Sequence, residues 1–153
     1  MLKCHDHNSC IDKAILEAIL ICKANNLRFT DLRQKVFEII LKTHKPVKAY
    51  DVLSELQQKD PSAKPPTVYR ALDFLLEYGL VHKIHSLNSY SPCSHPKKHN
   101  QCCFLICEKC NQIKECCDES LFKAIQNTTN SNKFDPKNTI IEISGTCNKC
   151  NSS

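Results

Sequence analysis

Glycine is nearly absent from this 153-residue chain, which contains only two. Loops that cradle phosphates need several glycines in close succession, so P-loop and dinucleotide-fingerprint chemistry is excluded. No apolar run approaches the roughly 20 residues of a membrane span. The opening stretch, MLKCHDHNSC, lacks the basic-then-apolar order of a secretory signal. The expectation is a cytoplasmic protein with no membrane partner. No Ser/His/Asp arrangement is suggested, and the paired HxE and PCxxC segments of a zinc deaminase are missing: Pro92-Cys93 is followed by Ser-His-Pro. Nothing therefore points to an enzyme or to a small-molecule substrate.

The composition, 41% hydrophobic and 24% charged, is that of an ordinary globular chain. Its length suits one domain or two small ones. The net charge of +5 is mildly basic. It is also spread out, with 13 Lys and Arg against 10 Asp and Glu in residues 1–87, and eight against six in residues 88–153. Any contact with nucleic acid must come from a local patch.

What the chain has in excess is cysteine, 12 in all. CxxC pairs without a secretory signal read as metal binding rather than as a disulfide framework. Cys4, His5, His7 and Cys10 are metal-type residues too, but at a terminus they read as a frayed tail.

The stretch KPPTVYRALDFLLEYGL, Lys64–Leu80, organises the first half of the chain. Two prolines suit the first turn of a helix. Val68, Ala71, Leu72, Leu75 and Leu76 recur at helical spacing, and Gly79 is a stop. Thr67, Tyr69, Arg70 and Asp73 lie off the apolar stripe. Tyr69 and Arg70 sit near the N-terminal end, where a recognition helix meets base edges and phosphates. Three helices precede this one. The first spans residues 11–25. The second is capped by Thr30, with Leu32, Val36, Phe37, Ile40 and Leu41 inward. The third spans Ala49–Gln58. The segment LVHKIHSLNSYSP then reads as a two-stranded hairpin turning at Asn88-Ser89. Helices followed by a small hairpin make a winged helix-turn-helix. Residues 91–100, SPCSHPKKHN, read as a hinge. Beyond it come a strand Cys103–Cys107, a partner at Ile113–Glu115, a helix capped by Asp118 or Ser120 and running through Thr128, and a strand Thr139–Ser144. The expected fold class is α+β: residues 1–90 a winged helix-turn-helix and residues 101–153 a small α/β unit, which the family resemblance given below implies are a DNA-binding domain and a dimerisation domain. A unit that small needs a staple or a partner.

Cys107-Glu-Lys-Cys110 and Cys147-Asn-Lys-Cys150 each follow an apolar strand. Two such turns complete a tetrahedral four-sulfur site for zinc. A closed site of this kind has no open position for catalysis and contributes to folding. His82, Cys93, His95, His99 and Glu115 form a looser mixed set that also suits zinc.

The run KPPTVYRALDFLLEYGLVHKIHSLNSYSPCSHP, then FLICEKCNQIKE, then the late CxxC, resembles the ferric uptake regulator superfamily. The phrase PPTVYRALDFLLEYGLVHKI with NSY is most similar to its zinc-responsive branch, the bacterial zinc uptake regulators. The resemblance runs from about Thr30 to Cys150. In TDLR, Thr30–Arg33, Asp31 and Leu32 stand where proline and glutamine are frequent in the family. The resemblance implies a homodimeric repressor of zinc-uptake genes that binds double-stranded operator DNA when loaded with zinc, two ions per subunit. By position, Cys107, Cys110, Cys147 and Cys150 match the structural zinc site. His82, Cys93, His99 and Glu115 match the regulatory site. Lys64, Thr67, Tyr69 and Arg70 fall on the DNA-contacting end of the recognition helix. The segment between His99 and Cys107 is one residue longer than the family's usual spacing. That leaves His95, Cys102 and Cys103 as alternatives to His99. Cys102, Cys103, Cys116 and Cys117 match no family role and read as small buried hydrophobes.

Two rival readings stand beside this one. An iron- or peroxide-responsive regulator of the same superfamily is disfavoured by Cys93, because such sites are richer in His and carboxylate. A thiol-rich zinc-binding protein without DNA binding leaves the TVYR helix and the hairpin unused.

Overall fold

The computed structural model describes residues 7–43, 45–96 and 101–151. Cys4 and His5 of the N-terminal metal-type residues, and His99 of the hinge, lie outside them. The chain divides at Cys93/Ser94 into two compact units.

The N-terminal unit holds α1 (His7–Ala24), α2 (Asp31–Leu41), α3 (Ala49–Lys59), α4 (Pro65–Glu77), β1 (Val81–Ile84) and β2 (Ser89–Pro92). Helix α1 begins four residues before the expected start, so His7 and Cys10 belong to a helix rather than to a tail. The His7 ring nitrogen Nε2 lies 3.1 Å from the Lys42 carbonyl oxygen, which ties that end down. Helix α2 starts where Thr30 predicts, with the Thr30 hydroxyl accepting the Arg33 N–H. Val36, Ile40, Val52, Leu56, Val68, Leu72 and Leu75 are almost wholly buried in one cluster. A large aliphatic side chain contributes roughly 1.5–3 kcal/mol when fully buried, so this unit carries a substantial core. The Arg33 guanidinium lies 3.6 Å from the centre of the Phe74 ring, holding α2 against α4.

Helix α4 ends as Gly79 adopts φ 68°, with the Leu80 N–H donating to the Leu75 carbonyl. The chain then enters an antiparallel hairpin in register Val81↔Pro92, His82↔Ser91, Lys83↔Tyr90, Ile84↔Ser89. Asn88 makes the turn at φ 45°, a conformation asparagine tolerates. Val47 adds a one-residue bridge on the other side of β2, exchanging both backbone hydrogen bonds with Tyr90 at 2.9 and 2.7 Å. Strand β2 runs to Pro92, and the Cys93 N–H donates to the Leu80 carbonyl at 3.0 Å. The stretch read as a hinge thus begins inside the hairpin, because Ser91 and Pro92 pair with β1 and Cys93 is hydrogen-bonded to Leu80.

The C-terminal unit holds β3 (Cys103–Cys107), β4 (Ile113–Cys116), α5 (Glu119–Ser131), β5 (Glu142–Gly145) and the single turn α6 (Asn148–Asn151). Its sheet has the order β4-β3-β5, with β4 antiparallel and β5 parallel to β3. Of the two candidate caps for α5, Asp118 does the work, its carboxylate accepting the Ser120 N–H at 2.8 Å. The last strand starts later than the expected Thr139–Ser144: β5 begins at Glu142, where its pairing with β3 begins at Phe104. Helix α5 buries no residue fully. Leu105 and Ile143, paired in register, remain 38% and 50% exposed, and Ile140 and Phe134 are 50% and 63% exposed. So thin a core requires further sources of stability.

Candidate metal centres and nucleic-acid interface

Parallel pairing explains the first metal centre. Strands β3 and β5 end at the same edge, with Cys107 opposite Gly145. Each is followed by a CxxC turn, so both turns project from that edge. Asn111, at φ 56°, closes the first turn, its N–H donating to the Cys107 carbonyl at 2.8 Å. One sulfur from each of Cys107, Cys110, Cys147 and Cys150 lies within 4.8 Å of the others. Cys110 Sγ and Cys147 Sγ are 3.8 Å apart. Zinc–sulfur bonds of about 2.3 Å in a tetrahedron place sulfurs roughly 3.8 Å apart, so the donor set fits zinc. The Cys147 N–H points at Cys107 Sγ at 3.4 Å. That bond, aided by the Cys110 and Lys109 N–H groups and the Cys110 thiol, holds the Cys107 thiol down at about 6. Hydrogen bonds with the Cys147 and Cys110 thiols, with burial and the Cys107 charge adding to them, push Cys150 up to about 12.

The hairpin register places His82 and Cys93 on one face of the wing. His82 faces Ser91, and Cys93 lies two residues further on, at a diagonal position that long side chains span. A His82 ring nitrogen and the Cys93 sulfur come within 4.8 Å of each other. His82 is buried and Cys93 half-buried.

In the C-terminal unit, Glu115 sits on β4 with its side chain 9% exposed. Its Oε2 accepts the Ser94 N–H at 2.8 Å, and its Oε1 lies 3.8 Å from His95 Nδ1. Of the candidates for the third regulatory ligand, His95 therefore stands beside Glu115. Cys103 is buried, which pushes its thiol up, and it points to the opposite face of the sheet. Cys102 is bonded to Cys117 in a disulfide. The reading of Cys102 and Cys117 as isolated small hydrophobes is thereby corrected. Continuing the β3–β4 ladder one rung beyond Cys103↔Cys116 sets Cys102 opposite Cys117, with Cα atoms 4.1 Å apart. Pairing CFLIC with IKEC in register would have found this from the sequence.

Helix α4 presents Lys64, Tyr69 and Arg70 exposed, Tyr69 at 51%, with Thr67 half-buried. Val68, Ala71, Leu72 and Leu75 hold the opposite face in the core. The N-terminal end of α4 thus exposes an ammonium and a guanidinium from a helix whose other face is packed into the core.

Comparison with known proteins accords with this architecture. The family model of the ferric uptake regulators matches residues 24–144. The zinc uptake regulation protein of Escherichia coli (strain K12) is 38% identical over 138 residues, which is 89% of this chain and 80% of that protein. The structure of a zinc uptake regulator complexed with zinc and DNA superposes with a TM-score of 0.88 at 36% identity, covering 93% of this chain and 95% of that one. Holo XcZur gives 0.83 at 34% identity, covering 92% and 99%. The chain belongs to the ferric uptake regulator family, in its zinc uptake regulator branch.

Proposed function

We propose that this protein is a cytoplasmic, zinc-responsive transcriptional repressor that binds operator DNA as a zinc-loaded homodimer and controls zinc-uptake genes. The observation that carries this reading is the His82–Cys93 pair on the wing, two side chains of metal-ligand type close together on the unit that carries α4. Relatives whose names speak of zinc uptake, and a neighbour solved with zinc and DNA, support it.

Two zinc ions per subunit are assigned. Cys107, Cys110, Cys147 and Cys150 hold a structural ion that substitutes for the missing core of the C-terminal unit. His82, Cys93 and Glu115, with His95 or His99 as the remaining donor, hold the regulatory ion. Bound zinc supplies a fixed, directional link between its ligands and no redox chemistry. His82 and Cys93 thereby lose their freedom relative to Glu115. In a homodimer this fixes the separation of two α4 helices, which must match half-sites about 34 Å apart or a multiple of it. Without the link only a fraction of molecules holds that spacing, and apparent affinity falls by that fraction. The exposed Leu105–Ile143 face supplies an apolar platform for the second copy. In this reading Arg70 on α4 donates to a guanine edge, and Thr67, Tyr69 and the N-cap residue Lys64 donate to phosphates.

Two substitutions test the division of labour. Cys93→Ser leaves a folded dimer whose DNA affinity no longer responds to added zinc. Cys107→Ser abolishes the folded C-terminal unit and the dimer, read by analytical ultracentrifugation and thermal melting. Identical behaviour of the two variants would overturn the assignment of separate structural and regulatory ions.

A further inference from the structure

Cys117 has two partners that its sulfur cannot serve at once. One is Cys102, across the rung that continues the β3–β4 ladder. The other is a pair of metal-type donors: Cys117 Sγ lies 3.6 Å from His95 Nδ1 and 3.8 Å from Glu115 Oε1, which are themselves 3.8 Å apart. Zinc bonds of about 2.0–2.1 Å to nitrogen and oxygen and 2.3 Å to sulfur set the edges of a tetrahedral face at roughly 3.3–3.6 Å. The three donors already stand within a few tenths of an ångström of that face. A thiolate completes a mixed N/O/S zinc set, whereas a disulfide sulfur is not a zinc ligand of that kind.

We propose that His95, Glu115 and Cys117 bind a zinc ion within the C-terminal unit when Cys117 is a thiol, and that closing the Cys102–Cys117 disulfide removes the site. The inference rests on Glu115 being a zinc ligand, as in the reading above. Sharing that carboxylate, the two sets compete for one ion, and the redox state of Cys117 decides whether the competitor exists.

The oxidant is a hydroperoxide, ROOH. The Cys117 sulfur attacks one peroxide oxygen, the O–O bond breaks, and ROH leaves, giving a sulfenic acid, Cys117–SOH. Cys102 sulfur then attacks Cys117 sulfur. The S–S bond forms, the S–O bond breaks, and the hydroxide takes the Cys102 proton and departs as water. Two thiols and ROOH become one disulfide, ROH and water, with two electrons passing from sulfur to peroxide. Cys102 is the natural resolving thiol because the ladder holds it opposite Cys117. Exchange with an excess of a small dithiol reverses the step.

The test uses the full chain carrying Cys93→Ser, with the four-sulfur centre loaded, so that the set containing the wing donors is out of play. Zinc is titrated against a chromophoric chelator before and after brief hydrogen peroxide treatment, and disulfides are mapped by mass spectrometry. The reduced protein is expected to hold a second zinc per subunit. Peroxide removes it as the Cys102–Cys117 cross-link appears, and dithiothreitol restores it. Adding Cys117→Ser abolishes or weakens the second ion by at least about tenfold in either state. Adding Cys102→Ser, or Cys102→Ala should serine disturb packing, keeps the ion after peroxide. A second ion that survives Cys117→Ser unchanged, or that Cys102→Ser loses as readily as the parent, overturns the inference, as does its absence from the reduced protein. None of these outcomes bears on whether DNA affinity responds to zinc when Cys93 is present, which decides the function proposed above.

Discussion

In the four-sulfur centre, Cys107 and Cys150 are driven in opposite directions by neighbours a few ångströms away. Backbone N–H groups of Cys147 and Cys110 stabilise the Cys107 thiolate, so its ordinary value near 9 falls to about 6. The thiols around Cys150 push it the other way, to about 12. Both must be thiolates to bind zinc. Between pH 6 and pH 9 the Cys107 proton is already gone, while the Cys150 proton must be expelled as the ion enters. Zinc affinity at this centre should therefore weaken by about tenfold or more for each unit of falling pH, and more steeply below pH 6, where Cys107 also holds its proton. Chelator competition at pH 6.5, 7.5 and 8.5 measures this; a flat profile would contradict the account. In the N-terminal unit, Arg70 is exposed on α4, away from the core. Arg70→Ala should weaken specific DNA binding by about 1–3 kcal/mol without changing the melting temperature. Unchanged affinity in a fluorescence-anisotropy titration would remove Arg70 from the interface.

Among the elements, α4 shows how local chemistry places a functional edge. Pro65 and Pro66 begin it, five buried apolar side chains fix its rotation, and Gly79 ends it in the left-handed region. Alanine at that φ costs about 1–2 kcal/mol. Gly79→Ala should destabilise the N-terminal unit by that amount in urea denaturation, and no loss would show that the turn relaxes freely. This element was legible in the sequence because its signals are local: prolines, helical periodicity and a glycine stop. The same holds for α2, named by Thr30, and for the CxxC turns, whose doubled spacing has few other uses. What escaped was non-local. The Val47–Tyr90 rung depends on one residue meeting a distant strand, and the Cys102–Cys117 pair depends on a cross-strand register. The early start of α1 also escaped, because His7 and Cys10 read as part of a frayed terminal tail rather than as the beginning of a helix. The expected strand from Thr139 began too early, because apolar residues alone do not say how far an edge strand will find partners.

For the molecule as a whole, stability and function are divided between the units. The N-terminal unit folds on aliphatic burial and carries the reading helix. The C-terminal unit has a thin core, four convergent thiols and an exposed apolar sheet face, which suits a metal-stapled platform for a second copy. A switch follows if the state of one zinc ion changes how firmly the reading units are held. A tenfold gain in DNA affinity requires only about 1.4 kcal/mol of differential binding, and by linkage DNA must tighten that zinc by the same factor. The most direct measurement takes duplex DNA selected from a random pool by the zinc-loaded protein. Its Kd is compared with and without the second zinc, at one salt concentration and with the four-sulfur centre kept filled. The account predicts binding at least about tenfold tighter with that ion present; equal affinities in the two states would contradict it.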